Sequence, residues 1–413
     1  MENESWQIIL RRPQTAVLYH EKENRIQLLK KNMSNCPLCG NALNGQMFMD
    51  NDYFKVLSTL QTPEANSSSL PKSLFNDGYY DRFFLEQEKL GRGARGLVYK
   101  CVHVLDNVHL GLFAIKKVAV GDNHEWLIRM LKEVTLLQQL KNENIIEYKH
   151  AWLENSQLTQ FGPSIPCLFI LMEYANGLNL QDYIVMQEKI QKDQRHVLPM
   201  SGSMHKSGIG ANKFGEMVRY LESQTIIELF LDIIQGLSHL HSLNIVHKDI
   251  KPNNLLLQFC DPVGKLDVPR ILISDFGECQ DVQQSVLSNR TGLTGTMEYV
   301  PPELLVQDPL LPFDKTSDIW SAGLVLYFIC FTFLPYTQVD DVDILKREIL
   351  QRKEFDYFDE NTRVDIALKN AIQMMVLPDP NARPTAEMIL RQGRLLKEQI
   401  SKRQHSMSLL LDQ

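Results

Sequence analysis

The sequence predicts an α+β protein of two lobes, in which a strand-rich half precedes a larger helical half. Between residues 83 and 120, short segments of alternating polarity are joined by turns, as in a series of β-strands. From residue 225 onwards, apolar residues recur with the spacing of an amphipathic helix. Strands that precede helices in this way are typical of a two-lobed α+β architecture.

Composition places the chain among ordinary globular proteins. Of its 413 residues, 44% are hydrophobic and 23% are charged, which allows a core over most of the length. The net charge of −7 argues against a dedicated nucleic-acid binder, because such domains carry a basic excess. The seven cysteines are scattered, which indicates a reducing compartment. We find no signal peptide, and the longest apolar run, 322–336, is too short to cross a bilayer, so we interpret it as a buried helix. We therefore expect a cytoplasmic protein without a transmembrane segment.

The chain divides into an N-terminal extension, a main domain and a tail. The first 30 residues alternate like short strands, and residues 60–74 have the Ser- and Pro-rich composition of a linker. Residues 188–223 are polar without a sustained period, so we interpret them as an inserted loop. We expect the tail to extend the last helix, although its basic and apolar pattern also suits a partner-binding or membrane-surface helix. The predicted boundaries are 1–77 for the extension, 78–398 for the main domain, 78–175 and 176–398 for its lobes, and 399–413 for the tail.

A glycine-rich segment opens the strand-rich lobe. Its glycines fit the pattern G-x-G-x-x-G-x-V, and glycines let a backbone approach phosphate oxygens because they lack a Cβ atom. Dinucleotide-binding folds share this spacing, but they require a helix after the glycines, and here the following residues alternate like a strand. A flexible turn is the alternative for the segment taken alone. The predicted phosphate-loop residues are Gly91, Arg92, Gly93, Ala94, Arg95, Gly96, Leu97, Val98 and Tyr99.

A lysine stands in an apolar strand farther along the same lobe. Lys116 follows Ala114 and Ile115, where a charged group is out of place unless it is paired. Phosphate oxygens would pair it, and so would the carboxylate of Glu133, on the helix predicted over residues 125–140. We therefore interpret Lys116 as a bridge between nucleotide phosphates and Glu133. The alternative is a lysine with a buried stem and a hydrated ammonium, beside a solvated glutamate.

A dense polar loop, HKDIKPNN, follows the amphipathic helix. Transfer of a phosphoryl group needs a carboxylate to accept the proton of the attacking hydroxyl, a cation near the moving group, and oxygen ligands for Mg²⁺. Asp249, Lys251 and Asn254 supply these in that order. Asp275, after the strand-like residues 271–273, is the second predicted Mg²⁺ ligand, and Gly277 is expected to take an unusual backbone angle.

These motifs, taken in order, resemble those of the eukaryotic protein kinases, and the resemblance runs from about residue 79 to about residue 396. It implies a two-lobed kinase fold, ATP and Mg²⁺ as cofactors, and a protein substrate. It also implies that the backbone of Glu173 and Ala175 binds the adenine edge, with Met172 behind the base, and that Ala114 belongs to the nucleotide-binding site. The segments GTMEYVPPE, DIWSAG and PNARP resemble further kinase motifs. In that family the arginine matched by Arg383 forms a buried pair with the glutamate matched by Glu303.

Single positions refine this resemblance. Lys251, two residues after Asp249, follows the serine/threonine pattern of the family and not the tyrosine pattern. Lys248 replaces the usual arginine and keeps its charge, but it cannot form a bidentate contact with a phosphate on the activation loop. Neutral residues at Asn179 and Asn253 disfavour a strong preference for basic substrates. The hydroxyls that could be phosphorylated, or could be ordinary loop groups, are Ser285, Ser288, Thr291 and Thr294.

The N-terminal extension contains a Cys-Pro-Leu-Cys-Gly turn. Cys36 and Cys39 have the spacing of half a zinc knuckle, and a homodimer could supply a second pair of thiolates. Two reduced cysteines in a turn are the favoured alternative. With the aromatic residues that follow, this turn resembles the fungal Iks-type kinases. The segment AWLE and the polar insert resemble the kinases of initiation factor 2 alpha.

We predict an active, non-specific serine/threonine protein kinase, because none of the expected catalytic residues is missing. One alternative is a kinase-fold interaction protein that binds nucleotide and turns over poorly, which Lys248 and Glu278 would favour. Another is an initiation-factor kinase regulated by dimerisation. The retained residues are Lys116, Glu133, Asp249, Asn254 and Asp275.

Overall fold

A computed structural model describes most of the chain. The described residues are 6–11, 15–20, 25–30, 70–93, 96–158, 162–186, 209–211, 217–219, 221–260, 268–281, 296–306, 314–351 and 364–411. The chain forms two compact units, of which the first comprises Met1–Thr135 and Tyr148–Tyr174 and the second comprises Leu136–Glu147 and Ala175–Gln413. Several predictions lie outside the described residues, namely those for Ala94 and Arg95, the Cys36 and Cys39 turn, the activation-loop hydroxyls and most of the insert. The domain boundaries near residues 78 and 398 stay predictions.

The first unit begins with a small antiparallel sheet in the order β1-β2-β3. Its strands are β1 (Trp6–Arg11), β2 (Thr15–His20) and β3 (Arg25–Lys30). The prediction of short strands in the first 30 residues is therefore confirmed.

Five strands form the main sheet of the first unit, antiparallel throughout and in the order β4-β5-β6-β8-β7. This sheet confirms the predicted strand-rich lobe. The elements in chain order are α1 (Tyr79–Phe83), β4 (Phe84–Gly93), β5 (Gly96–Leu105), β6 (Val108–Ala119), α2 (His124–Gln139), β7 (Tyr148–Gln157) and β8 (Ser164–Glu173).

One hydrophobic cluster joins β6 and β8 to helix α2. Val118 and Ile170 from the sheet are buried together with Leu127, Met130 and Val134 from the helix. The helix predicted over residues 125–140 is confirmed, but the leucine spacing in the sequence also predicts Leu131 on its apolar face, and that part is wrong. Leu131 is 40% exposed and Met130 is buried, because the spacing from Leu127 to Val134 carries position 130 onto the shared face.

A second cluster, rich in aromatic rings, joins the sheet to helix α1. Trp152 stacks on Phe169 and on Phe84, with ring centroids 5.1 Å and 5.6 Å apart. Tyr80 of α1 packs into the same cluster. Residues of one strand alternate between the two sides of a sheet, so Ile115 belongs to this cluster whereas Val118 belongs to the other.

The second unit is mainly helical, as predicted. Its short strands pair antiparallel as β9 with β10, β11 with β14 and β12 with β13. The elements in chain order are a helical segment over residues 180–186, then β9 (Ile209–Ala211), β10 (Met217–Arg219), α3 (Ser223–Ser242), β11 (Ile245–Val246), β12 (Leu255–Gln258), β13 (Arg270–Ile273), β14 (Gln280–Asp281), α4 (Pro302–Leu305), α5 (Lys315–Phe331), α6 (Val342–Gln351), α7 (Ile366–Met375) and α8 (Ala386–Leu411).

The insert predicted as a loop contains the β9–β10 pair, so it is not irregular throughout. Three-residue strands are too short for an alternating pattern to be recognised in the sequence. At the other end of the unit, α8 continues to Leu411 and confirms that the tail extends the last helix.

Helix α5 forms the centre of the second unit. Every residue from Ser317 to Phe331 is buried, which confirms the prediction of a buried helix. Asp314 and Ser317 form a reciprocal capping box at its start, and the helix ends at Phe331, before Thr332 in a left-handed conformation. Among the helices in the described ranges, none is both long enough and apolar enough to cross a membrane.

Candidate active site

The glycine-rich segment forms the turn between β4 and β5. Gly93 lies opposite Gly96 in the register, and Gly91 lies opposite Val98. A Cβ atom on Gly96 would lie 2.3 Å from the carbonyl oxygen of Lys117, whereas a Cβ atom on Gly91 would meet no atom within 4 Å. The close approach of two backbones therefore requires glycine at position 96 and does not require it at position 91.

Lys116 and Glu133 form the predicted ion pair. The Nζ atom of Lys116 donates to Oε1 of Glu133 over 3.1 Å, and the two side chains are only 8% and 5% exposed. Val98 lies opposite Lys116 across the β5–β6 pair, and Ala114 lies two residues before it on the same face of β6. The first unit thus brings the lysine together with two of the predicted nucleotide-contacting residues.

The predicted adenine-binding segment begins at the end of β8. Met172 lies opposite Ala114 and Glu173 lies opposite Phe113 in the β6–β8 register. Ala175 is the first residue of this stretch to belong to the second unit. Their contacts with adenine stay a prediction.

The polar loop after β11 brings Asp249, Lys251 and Asn254 together. Lys251 Nζ lies 2.9 Å from Oδ2 of Asp249. Asn254 Nδ2 donates to the same Oδ2 atom and to the backbone oxygen of Asp249, both over 2.8 Å. Because the amide nitrogen of Asn254 is occupied by these hydrogen bonds, its Oδ1 atom is the side-chain atom that can serve as a ligand to a cation.

Asp275 lies next to Asn254 because of hydrogen bonds made by the preceding residue. The backbone nitrogen and the hydroxyl of Ser274 both donate to the backbone oxygen of Asn254, each over 2.9 Å. The expected backbone angle at Gly277 was wrong: the left-handed conformation belongs to Asp275 itself, with φ 61° and ψ 74°. A short polar side chain tolerates this conformation better than a larger one does.

Two oxygen donors on neighbouring segments suit Mg²⁺, which completes its coordination with phosphate oxygens and water. Asn254 and Asp275 are these donors, so the residues present fit the ion that the sequence implies. The described part of the chain holds no group of three or more His, Cys, Asp or Glu residues that could bind a metal by itself.

Asp318 fixes the start of the polar loop, a role that the sequence analysis missed. Its carboxylate is 1% exposed and accepts the backbone N–H groups of His247 and Lys248, both over 2.9 Å. The ring nitrogen Nε2 of His241 lies 2.9 Å from the same carboxylate. A carboxylate in the most apolar of the described helices was the available signal, because such a group is buried only with partners.

His247 links this loop to the segment that carries Asp275. Its Nε2 atom lies 3.1 Å from the backbone oxygen of Ser274, and its ring meets the ring of Phe276 edge to face, with centroids 5.1 Å apart. Asp249 N donates to its Nδ1 atom over 3.3 Å, which favours the neutral tautomer with a proton on Nε2.

Lys248, the unusual residue before Asp249, is strained and partly buried. It adopts a left-handed backbone with φ 69°. Burial lowers its pKa, and the charges of Cys279, Glu278 and Asp318 oppose that effect. Lys248 therefore already lies in an acidic environment without any added phosphate.

Arg383 and Glu303 form the predicted buried pair. Two parallel hydrogen bonds of 2.7 Å join the guanidinium to the carboxylate. The guanidinium also donates to the backbone oxygens of Thr316 and Leu377 and lies 5.0 Å from the ring of Trp320. Because Glu303 lies in the first turn of α4 and Thr316 in the first turn of α5, Arg383 ties the two helices together.

One of the two positions expected to influence substrate preference has a structural role. Asn179 caps the helical segment 180–186, since its Oδ1 atom accepts Asp182 N and its Nδ2 atom donates to Asp182 Oδ2, both over 2.8 Å. Asn253 is exposed in the polar loop. Only Asn253 therefore has a side chain that is not already engaged in local structure.

Comparison with known proteins identifies the family. The family model described as "Protein kinase domain" matches residues 84–393. The chain is 36% identical to the probable serine/threonine-protein kinase iksA of Dictyostelium discoideum, over 78% of this chain and 33% of that protein. It is 25% identical to the interferon-induced, double-stranded RNA-activated protein kinase of Rattus norvegicus, over 76% and 52% of the two chains. It is 29% identical to the serine/threonine-protein kinase nekl-2 of Caenorhabditis elegans, over 58% and 54%.

These matches span about a third to a half of the length of the relatives. The resemblance to the Iks-type kinases is confirmed by the relative from Dictyostelium discoideum. The matched residues contain the glycine-rich turn, the Lys116–Glu133 pair, the polar loop and Asp275. The chain belongs to the protein kinase family.

Proposed function

We propose that this chain is a non-specific serine/threonine protein kinase, which transfers the γ-phosphate of ATP to serine or threonine hydroxyls of a protein. The observation that carries the proposal is the convergence of Lys251 and Asn254 on one oxygen of Asp249. Both contacts go to Oδ2, so the carboxylate is held in one orientation. An oriented carboxylate of this kind is what a hydroxyl nucleophile requires.

The chemistry assigns one role to each side chain of the polar loop. Asp249 accepts the proton of the substrate hydroxyl while the hydroxyl oxygen forms a bond to the γ-phosphorus. The bond between that phosphorus and the oxygen that bridges it to the β-phosphate breaks, and ADP is released. Lys251 places its ammonium beside the carboxylate and the developing negative charge. When bound, Mg²⁺ held by Asn254 and Asp275 would neutralise charge on the phosphate oxygens.

Nucleotide binding belongs to residues of the glycine-rich turn, β6 and the end of β8. In this proposal the backbone from Gly91 to Tyr99 covers the phosphates, and Lys116, kept in place by Glu133, binds their oxygens. Ala114 lies on the same face as Lys116 and contacts adenine, while Glu173 and Ala175 bind its edge through their backbones.

The protein substrate enters next to Asp249. A small cavity with room for about one water molecule lies beside Asp249, between the polar loop and the segment before α4. Its lining includes Lys248, Asp249, Thr296, Tyr299, Val300 and Pro301. Serine and threonine are proposed as acceptors because of Lys251 and because relatives named as serine/threonine kinases match this chain.

We place the protein in the cytoplasm. No cysteine in the described ranges forms a disulfide, and buried thiols such as Cys167, whose pKa burial raises to about 12, are unreactive. The scattered positions of all seven cysteines support the same compartment.

The test is phosphate transfer by the purified chain with Mg²⁺ and labelled ATP, alone, with generic acceptor proteins and with initiation factor 2 alpha. We expect label on serine or threonine with the wild-type chain and none with Asp249→Asn. Asp182→Asn, an exposed aspartate of the same unit, is the matched control and should retain activity. Label on the initiation factor alone would assign that narrower substrate class. A folded chain that binds ATP and labels nothing would favour an interaction protein.

A further inference from the structure

Two adjacent lysines of β6 point to opposite sides of the main sheet. Lys116 faces α2 and pairs with Glu133, as described above. Lys117 is 8% exposed and faces the aromatic side, where helix α1 packs. A displacement of the Lys117 side chain therefore shifts the same stretch of β6 backbone that carries the proposed phosphate-binding residue Lys116.

Helix α1 closes a cage around Lys117. The Nζ atom of Lys117 lies 3.9 Å from the ring centroid of Tyr80 and 4.6 Å from that of Tyr99, with Phe169 5.7 Å away. Glu86 accepts a hydrogen bond of 2.9 Å from Lys117. Cation–π contacts with the aromatic faces and the ion pair with the carboxylate together offset the free-energy cost of removing water from the buried ammonium.

Tyr80 completes this cage with its hydroxyl. It donates to the same oxygen of Glu86 over 2.6 Å, and its oxygen lies 3.3 Å from Sγ of Cys101. Burial raises the pKa of Tyr80, so the hydroxyl keeps its proton and remains a donor. Lys117, Glu86 and Tyr80 thus form one hydrogen-bonded group that includes a residue from α1.

A buried glutamate holds the start of α1 against the sheet. Glu154 accepts the backbone N–H groups of Gly78 and Tyr80 over 2.8 Å and 2.9 Å, and the indole of Trp152 over 3.0 Å. Asp77 accepts Asn155 N over 2.9 Å. The position of Tyr80 is therefore fixed by charge-assisted hydrogen bonds and not by ring packing alone.

The backbone of Lys117 also supports the glycine-rich turn. Its carbonyl oxygen occupies the space that a side chain at Gly96 would need, so the turn rests directly on this residue. Lys117 is consequently next to both proposed phosphate-binding features, the ammonium of Lys116 and the turn that ends at Gly96.

We propose that helix α1 positions the phosphate-binding lysine of this kinase, and that Tyr80 and Lys117 are positioning residues that act through Lys116. Helix α1, with Tyr80, precedes residue 84, where the match to the family begins, whereas its partners Lys117 and Glu86 lie within the match. The inference rests on the proposed role of Lys116 in binding ATP phosphates.

The experiment measures Mg²⁺–ATP affinity by calorimetry on the full chain, together with thermal unfolding. Tyr80→Phe keeps the ring and removes the hydroxyl, and Lys117→Met removes the cation. We expect each to weaken ATP binding by about three- to tenfold, the range that one charge-assisted contact supplies. Tyr79→Phe, on the same helix, is the matched control and should bind ATP as the wild type does.

A double-mutant cycle with Lys116→Met separates positioning from general stabilisation. If Tyr80 acts through Lys116, Tyr80→Phe should change ATP affinity by less than twofold when Lys116 is already replaced. An equal loss in both backgrounds, or a lower Tm with unchanged affinity, would overturn the inference. The cycle measures ATP affinity and does not depend on turnover. A chain that binds ATP but never transfers phosphate would contradict the proposed function, and the cycle could still be interpreted.

Discussion

Arg383 donates two parallel hydrogen bonds of 2.7 Å to the two carboxylate oxygens of Glu303, although the residues are 80 positions apart in the chain. The side chain is fully buried, and its three remaining donors bind the backbone oxygens of Thr316, Leu377 and Pro378. A fork of five donors in fixed geometry is needed for this set of partners.

Replacing Arg383 with lysine should destabilise the second unit strongly. Lysine keeps the charge but cannot serve the carboxylate and the carbonyl oxygens together, which leaves buried acceptors without donors. We expect a loss of about 2–4 kcal/mol in the free energy of unfolding, measured by urea denaturation. Arg391→Lys is the control, because Arg391 and Glu387 form an exposed pair whose side chains are 74% and 75% exposed. Equal stability of the two variants would contradict the prediction.

The glycines of the phosphate turn should respond differently to alanine. Gly96→Ala would place a Cβ atom 2.3 Å from a backbone oxygen that cannot move without distorting β6, so we expect at least a tenfold loss of ATP affinity. Gly91→Ala meets no atom within 4 Å and should retain affinity within about twofold. Calorimetric titration with Mg²⁺–ATP measures both. The reverse order of effects would show that the close approach at position 96 is not limiting.

Replacing Asp318 with asparagine should slow catalysis while ATP binding is largely kept. The variant loses one of two acceptor oxygens for the N–H groups of His247 and Lys248, so the loop that carries Asp249 is no longer fixed. A displacement of about 1 Å costs on the order of a hundredfold in rate, and we expect a kcat loss of that size with a KM for ATP near the wild-type value. Asp314→Asn, at the cap of the same helix, should leave kcat unchanged, because asparagine also caps helices. A KM effect without a kcat effect would refute this assignment.

Asp232 gives the protein a predictable dependence of stability on pH. Burial raises its pKa above the ordinary 3.8, against the opposing hydrogen bonds from Ile271 N and the Asn144 side chain. The native state therefore binds this proton more tightly than the unfolded chain does, and the wild type loses stability as pH rises from 3.8 through the native pKa. Asp232→Asn keeps an acceptor for Ile271 and removes the ionisation. Its stability relative to the wild type should increase between pH 4 and pH 7 in urea titrations. A difference that stays constant with pH would contradict the prediction.

Contacts between residues with recognisable chemistry were predicted from the sequence. The spacing of Asp249, Lys251 and Asn254 within one loop brings them together regardless of the surrounding fold. The Lys116–Glu133 pair was also predicted, because a lysine in an apolar strand needs a buried partner and the next helix offers one.

Other features depend on distant segments and could not be predicted in the same way. Asp318 serves the polar loop only because α5 passes beneath it, and the alternation of α5 gives no sign of this contact. The sequence assigned no role to Tyr80, because its role requires Glu86, Lys117 and Glu154 to meet on one side of a sheet. The left-handed conformation was predicted for Gly277 but belongs to Asp275, because composition alone does not tell which residue of a turn has the positive φ.

The left-handed backbone of Asp275 determines which substitution at this position is suitable for a catalytically inactive variant in cell experiments. Alanine at this position would remove the carboxylate and add a backbone cost of about 1–2 kcal/mol, which is enough to lower the abundance of a protein in the cell. Asparagine accepts the same conformation readily, so Asp275→Asn removes the charge alone. Cells that carry the asparagine allele should keep normal protein levels, and any phenotype can then be attributed to lost phosphate transfer.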